Sequence, residues 1–202
     1  LSRYAATAAA LRATGLQSVL EKHRSLPLVL SDDADIRATL LDPTPASIER
    51  LNLKLHRLSL GTSVSVIYIL NRQGATIASS NWNDPASFVG KAFTFRPYFK
   101  GAMQNGVAEY FALGTTSHRS GLYLAHRVGG ADDGLGVVVV KEQFDSLEAQ
   151  WRASSEPTFV TDKNGTVLLT TVDAWRFRTF EGAAPAQGRD PRQPFGQQAP
   201  QQ

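Results

Sequence analysis

The sequence predicts an α+β fold: a helical first third, then an antiparallel five-stranded sheet carrying helices, then a shorter unit that repeats the opening of the sheet. Three observations carry this reading. Apolar residues recur at helical spacing as far as Leu60. From Ser63 the chain turns β-branched and aromatic, in short runs separated by Gly- and Asn-containing turns. The strand–turn–strand pattern of Val66 to Ile77 then returns in Pro157 to Leu168, an internal repeat at long spacing.

The elements follow in order. Leu1, Tyr4, Ala5, Ala8, Leu11, Leu16, Val19 and Leu20 approximate one apolar face, so a helix is expected from residue 1 to about 25. Ser31-Asp32-Asp33 reads as a helix start, with Ile36, Leu40 and Leu41 as its apolar face, and Asp42-Pro43-Thr44-Pro45 breaks it. A third helix is expected from Ala46 to Leu60, ended by Gly61. Ser63 to Leu70 and Ala75 to Ser80 form a hairpin around Asn71-Arg72-Gln73-Gly74. Pro97 opens a short helix that Gly106 stops. Three strands follow, near 107–113, 121–128 and 134–141, and a connecting helix spans Glu142 to Ala153. The division this implies is a helical region 1–60, a sheet module 61–142, a linking helix 143–153, a partial second module 154–180 and a tail 181–202. The tail is rich in Gly, Ala, Pro and Gln and reads as a linker or a disordered stretch. Two strands do not stand alone, so the second unit must lean on the first or on residues outside this sequence.

Composition narrows the function. Hydrophobic residues make up 42% of the chain, enough for a packed core. A net charge of +3 with no Lys/Arg run gives no nucleic-acid footprint. The chain has no cysteine, which excludes disulfides, thiolate metal sites and a cysteine nucleophile. His23, His56, His118 and His126 show no metal-ligand spacing. No Gly-x-Ser-x-Gly elbow or phosphate loop is present, and no cofactor is expected. No run approaches the roughly 18 apolar residues of a membrane span, and no signal peptide is recognisable at Leu1. A membrane-bound parent would therefore contribute this stretch as a soluble piece.

The most informative residues are cations set among apolar neighbours. Arg96 lies within Phe93-Thr94-Phe95-Arg96-Pro97-Tyr98-Phe99, and Lys141 ends the strand Val137-Val138-Val139-Val140. Charge against apolar surface is costly, so two such cations point to a pocket built for an anion with a negative group at each end. The plain alternative is a surface Arg and a strand-end Lys, each paired with a local carboxylate. Arg96 offers a planar fork for one carboxylate, and Lys141 a compact charge for another. Strand alternation puts Lys141 on the face of Val137 and Val139. Gly114, Thr115, Thr116 and Ser117 supply hydroxyls and backbone N–H groups, and Tyr98 and Tyr123 supply phenols. Those two tyrosines read equally as core packing with satisfied hydroxyls. Asn81-Trp82-Asn83 reads as a structured loop over the sheet, and His118 and Arg119 as the rim of the 114–120 loop.

Ala78-Ser79-Ser80-Asn81-Trp82-Asn83, Ser87-Phe88-Val89-Gly90, Phe95-Arg96-Pro97-Tyr98-Phe99, Tyr110 to Ser117 and Gly136 to Lys141, in that order, resemble the periplasmic sensor of C4-dicarboxylate sensor histidine kinases. These are double PAS-like (PDC, or double Cache) sensors, and the resemblance runs from about residue 15 to 180. It implies a long N-terminal helix, a membrane-distal five-stranded PAS-like module that binds ligand, and a membrane-proximal module, incomplete here. It implies a receptor for succinate, fumarate or malate in the periplasmic portion of an inner-membrane protein. It also implies a homodimer through the N-terminal helix, a kinase elsewhere in the parent protein, a response regulator and a cognate dicarboxylate transporter as partners. A receptor for another small carboxylate or an amino acid keeps the same fold. An enzyme acting on an anion lacks an evident base or nucleophile.

Overall fold

The computed structural model describes residues 3–114, 119–153, 157–162 and 164–179. Three helices come first: α1 (Arg3–Ser31), α2 (Ala34–Leu41) and α3 (Pro45–Thr62). Asp33 caps α2 by accepting from the N–H groups of Asp35 and Ile36, and Thr44 and Ser47 cap α3 reciprocally with Pro45 in its first turn. Then come β1 (Val66–Asn71), β2 (Thr76–Ser79), α4 (Pro97–Asn105), β3 (Val107–Leu113), β4 (Ser120–Val128), β5 (Gly136–Glu142) and α5 (Asp145–Arg152). Strands β6 (Phe159–Thr161) and β7 (Val167–Thr170) close the described chain, followed by a 3₁₀ turn at Asp173–Trp175.

The first five strands form one sheet in the order β2-β1-β5-β4-β3, with every neighbour antiparallel. β5 is central and buried along its whole length. Its alternation therefore feeds two cores. Val137 and Val139 join Tyr68, Phe88, Phe93, Tyr98, Tyr110 and Tyr123 beneath α4. Val138 and Val140 join Ile67, Ile69, Leu51, Leu55 and Leu30 beneath the N-terminal helices. At Gly121 on β4 an added Cβ would meet the Glu142 carbonyl at 2.5 Å and Lys141 Cε at 3.1 Å, so only glycine lets β4 approach this end of β5.

The structure corrects several expectations. α1 does not stop near residue 25 but runs through Pro27 to Ser31. Pro27 forfeits one backbone hydrogen bond, yet Leu30 beside it is buried in the core, and tertiary packing carries the turn. Gly61 does not end α3: the helix continues to Thr62, and Ser63 takes the left-handed conformation at φ 61°. The apolar residues of α1 do not share one face either. Leu16, Val19 and Leu20 pack against Phe111, Phe144, Trp151 and Leu169, while Leu11 is 70% exposed. Leu11 and Leu16 are five residues apart, which turns them well away from each other on a helix of 3.6 residues per turn. Leu1 lies outside the described residues, as do the side chains of Tyr4, Ala5 and Ala8.

Strands β6 and β7 form a separate two-stranded sheet. Its Leu169 packs on Phe111 of β3, on α5 through Trp151, and against α1. Buried Glu148 of α5 clamps it: both carboxylate oxygens accept from Arg176, at 2.7 and 2.8 Å, and one also accepts from the Thr170 N–H at 2.9 Å.

Candidate ligand-binding site

Arg96 and Lys141 reach the same apolar core from different elements. Arg96 is the residue before α4, extended because Pro97 follows it and disfavours helical backbone there. It is 4% exposed, its guanidinium lies 5.1 Å from the Phe95 ring, and one Nη donates to the Leu113 carbonyl at 3.1 Å. Lys141 is fully buried. On β5 it stands directly between Val66 of β1 and Tyr123 of β4. Its Nζ sits 5.5 Å from the Tyr123 ring and 6.0 Å from the Phe88 ring.

Phenols line the same core. Tyr98, on the first turn of α4, stacks on Tyr123 at 4.8 Å with ring planes 4° apart. The Tyr68 hydroxyl donates to that of Tyr98 at 2.8 Å. Burial pushes all three phenols up, Tyr123 to about 12, against the opposing field of Arg96. They are therefore neutral donors at physiological pH. Burial also pushes Lys141 down, to about 8; Asp145 offsets part of this, and Arg96 and Arg119 add to it. Two buried cations on one apolar floor make an electropositive site, suited to an anion.

Of the residues singled out from sequence, Arg96, Lys141, Tyr98 and Tyr123 come together here. Gly114 is buried at the mouth of the loop, its N–H bonded to the Arg119 carbonyl at 2.9 Å. Thr115, Thr116, Ser117 and His118 lie outside the described residues. Arg119 is exposed and lies 3.8 Å from Asp145, the first residue of α5. The Ser79–Trp82 stretch faces α3 instead: the Ser79 N–H donates to Asn52 at 2.8 Å, and Trp82 sets an edge on His56 at 5.3 Å. It is a structured loop, with the Asn81 amide donating to the Ala86 carbonyl.

Sequence reasoning missed Tyr68, Phe88 and Phe93 in this cluster, and a second feature behind it. Glu142, next to Lys141, points to the opposite sheet face and meets His23 of α1, with Nδ1 and Oε2 3.3 Å apart and not aligned as a hydrogen bond. The other ring nitrogen of His23 bonds the Thr62 carbonyl at 3.2 Å and so must carry a proton. Burial raises Glu142 to about 7 and lowers His23. The alternation of β5 was a signal for Glu142; nothing in the sequence paired it with His23.

A cavity of about 460 Å³ between α2 and α3 also contains cations, but its Lys54 is already held by Asp33 and Asp35 at 2.7 and 2.6 Å. No group of three His, Cys, Asp or Glu side chains among the described residues could hold a metal ion. No described helix is long and apolar enough to cross a membrane.

No family model matches the chain. A curated relative, the C4-dicarboxylate transport sensor protein DctB of Rhizobium meliloti, is 49% identical over 176 residues, covering 87% of this chain and 28% of its own length. The chain thus spans little more than a quarter of that relative. Among solved structures, the sensor domain of the V. cholerae histidine kinase DctB superposes with a TM-score of 0.77 at 34% identity, over 87% of this chain and 69% of that one. The ligand-binding domain of the Pseudomonas aeruginosa amino-acid chemoreceptor PctC, in complex with GABA, superposes with a TM-score of 0.63 at 22% identity, over 88% and 79%. This last likeness is one of fold alone.

Proposed function

The chain belongs to the family of DctB histidine-kinase sensor domains, and from that premise we propose that it binds C4-dicarboxylates such as succinate, fumarate or malate in the module of residues 61–142. The observation that carries the reading is a pair of buried cations from separate elements, Lys141 against the Tyr123 ring and Arg96 acting electrostatically on the same neutral phenols. Each carboxylate of a four-carbon diacid then finds its own cation. The planar Arg96 fork takes one end, Lys141 the other, and Tyr98, Tyr123 and the Gly114–Ser117 loop donate between them. The ligand is the only small molecule required, and the domain itself catalyses nothing.

Calorimetry with succinate, fumarate, malate, L-aspartate and acetate tests this. Diacids should bind and acetate far more weakly, because a single carboxylate can engage only one of the two cations. Arg96→Lys keeps the charge and loses the fork, and should weaken succinate binding at least about tenfold, or about 1.4 kcal/mol. Normal succinate binding by Arg96→Ala would place the site elsewhere.

In the parent protein this domain is the periplasmic portion of an inner-membrane kinase. That kinase acts on a response regulator and works with a dicarboxylate transporter. Ligand drawn onto Lys141 biases the end of β5 and hence α5, which starts four residues on. A ligand moves such an equilibrium only by binding its two arrangements unequally, and closure of two elements onto one diacid supplies that difference. Structures with and without succinate should differ in the 114–120 loop and α5; identical arrangements would sink the relay. The domain pairs as a homodimer through the face of α1 that carries Leu11 and Val29, both exposed. A wild type that sediments as a monomer at every concentration would reject the pairing.

A further inference from the structure

We propose that Tyr68 is a positioning residue that fixes the Tyr98 hydroxyl as a donor toward the ligand, and that this sets the preference for a diacid over an amino acid. The inference rests on the dicarboxylate reading above. It follows from where the two phenolic protons can go.

Tyr68 is fully buried at the middle of β1, with Phe88 and Phe93 against its ring at 5.1 and 5.8 Å. Its hydroxyl has one hydrogen-bond partner among the described residues, the Tyr98 oxygen at 2.8 Å. If Tyr68 accepted this bond, its own proton would be stranded against phenylalanine rings, and a buried donor left unmet is costly. Tyr68 therefore donates, and Tyr98 accepts. The Tyr98 proton must then point away from Tyr68. Tyr98 is itself 1% exposed, and no acceptor for that proton is found among the described residues.

The acceptor is the ligand. Tyr98 stacks on Tyr123, whose ring faces Lys141, and both phenols lie in the field of Arg96. A carboxylate oxygen arriving there meets a donor already turned toward it and strengthened by the bond it accepts from Tyr68. An ammonium group arriving there has only protons to offer. It leaves the Tyr98 proton buried and unmet, and it adds a cation beside Arg96 and Lys141. A site whose polar groups are fixed in one sense rejects the ligand of the other sense more strongly than shape alone does.

Calorimetry on wild type, Tyr68→Phe, Tyr98→Phe and the double variant, each with succinate and L-aspartate, tests the assignment. Tyr68→Phe keeps the ring and removes one oxygen. It should weaken succinate about three- to tenfold and shrink the succinate-to-aspartate ratio, because the freed Tyr98 hydroxyl can rotate to accept. In the Tyr98→Phe background the Tyr68→Phe change should have no further effect on either ligand. Singles that multiply in the double variant, or an unchanged ratio in Tyr68→Phe, overturn the assignment; a purely structural Tyr68 would give either result. Wild type that binds no diacid at all overturns the dicarboxylate reading instead. Should Tyr68→Phe fold poorly, 3-fluorotyrosine at position 68 keeps the packing and makes a stronger donor. Succinate should then bind more tightly, and weaker binding overturns the proposal.

Discussion

Replacing Lys141 by Met should make the ligand-free domain more stable at neutral pH while abolishing diacid binding. Lys141 is fully buried, and burial is the largest cause of its drop from 10.5 to about 8. At about 1.4 kcal/mol per pH unit of displacement, holding the ammonium charged in the fold costs about 3 kcal/mol at pH 7. Methionine fills nearly the same space with no charge, so Lys141→Met should gain up to about 3 kcal/mol. The sign with pH is definite. A lysine whose folded value is depressed contributes stability that is present above 10.5 and lost as pH falls through about 8. The advantage of the variant should therefore be largest at pH 7 and shrink toward pH 10. Urea denaturation at the two pH values measures it. Binding should follow the same proton: a dianion favours the charged form, so wild-type succinate affinity should fall above about pH 8, by up to tenfold per unit. A variant less stable than wild type at pH 7, by an amount that does not change at pH 10, would refute the reasoning and make Lys141 a structural ion-pair partner.

Glu142→Gln should flatten a pH dependence on the other sheet face. The carboxyl of Glu142 is raised from 4.5 to about 7, so its contribution is present below 4.5 and lost as pH rises through about 7. Gln fills the same space without a charge, so wild type should lose up to about 3 kcal/mol against the variant between pH 4.5 and pH 8 in denaturation curves. His23 is displaced downward and acts oppositely, losing stability as pH falls below 6.5; comparing variant with wild type at each pH isolates Glu142. Equal slopes for both proteins would dismiss the pair. Arg176→Met should leave the Glu148 carboxylate buried without its bidentate partner and cost about 3 kcal/mol. The loss should show as faster hydrogen exchange in β6, β7 and α5, while the five-stranded sheet keeps its protection.

Much of this molecule was legible in residue order because it depends on local physics. Four valines followed by Lys141 and Glu142 can only alternate, so a central strand puts one ionisable group on each sheet face. Pro97 after Arg96 fixes both a helix start and an extended arginine. Ser31-Asp32-Asp33 announces a helix at the turn that Asp33 caps. Tertiary structure decided what lies across from what. The order β2-β1-β5-β4-β3 brings Tyr68 to Tyr98 across thirty positions, and residue type alone could not separate a hydrogen-bonding tyrosine from a core one. The angular position of each side chain around α1 decided that Val19 is covered while Leu11 is exposed, and the docking of that helix set His23 against Glu142. Such pairings belong to the geometry of packed elements, because long-range contacts form only where the whole sheet and its helices agree on one arrangement.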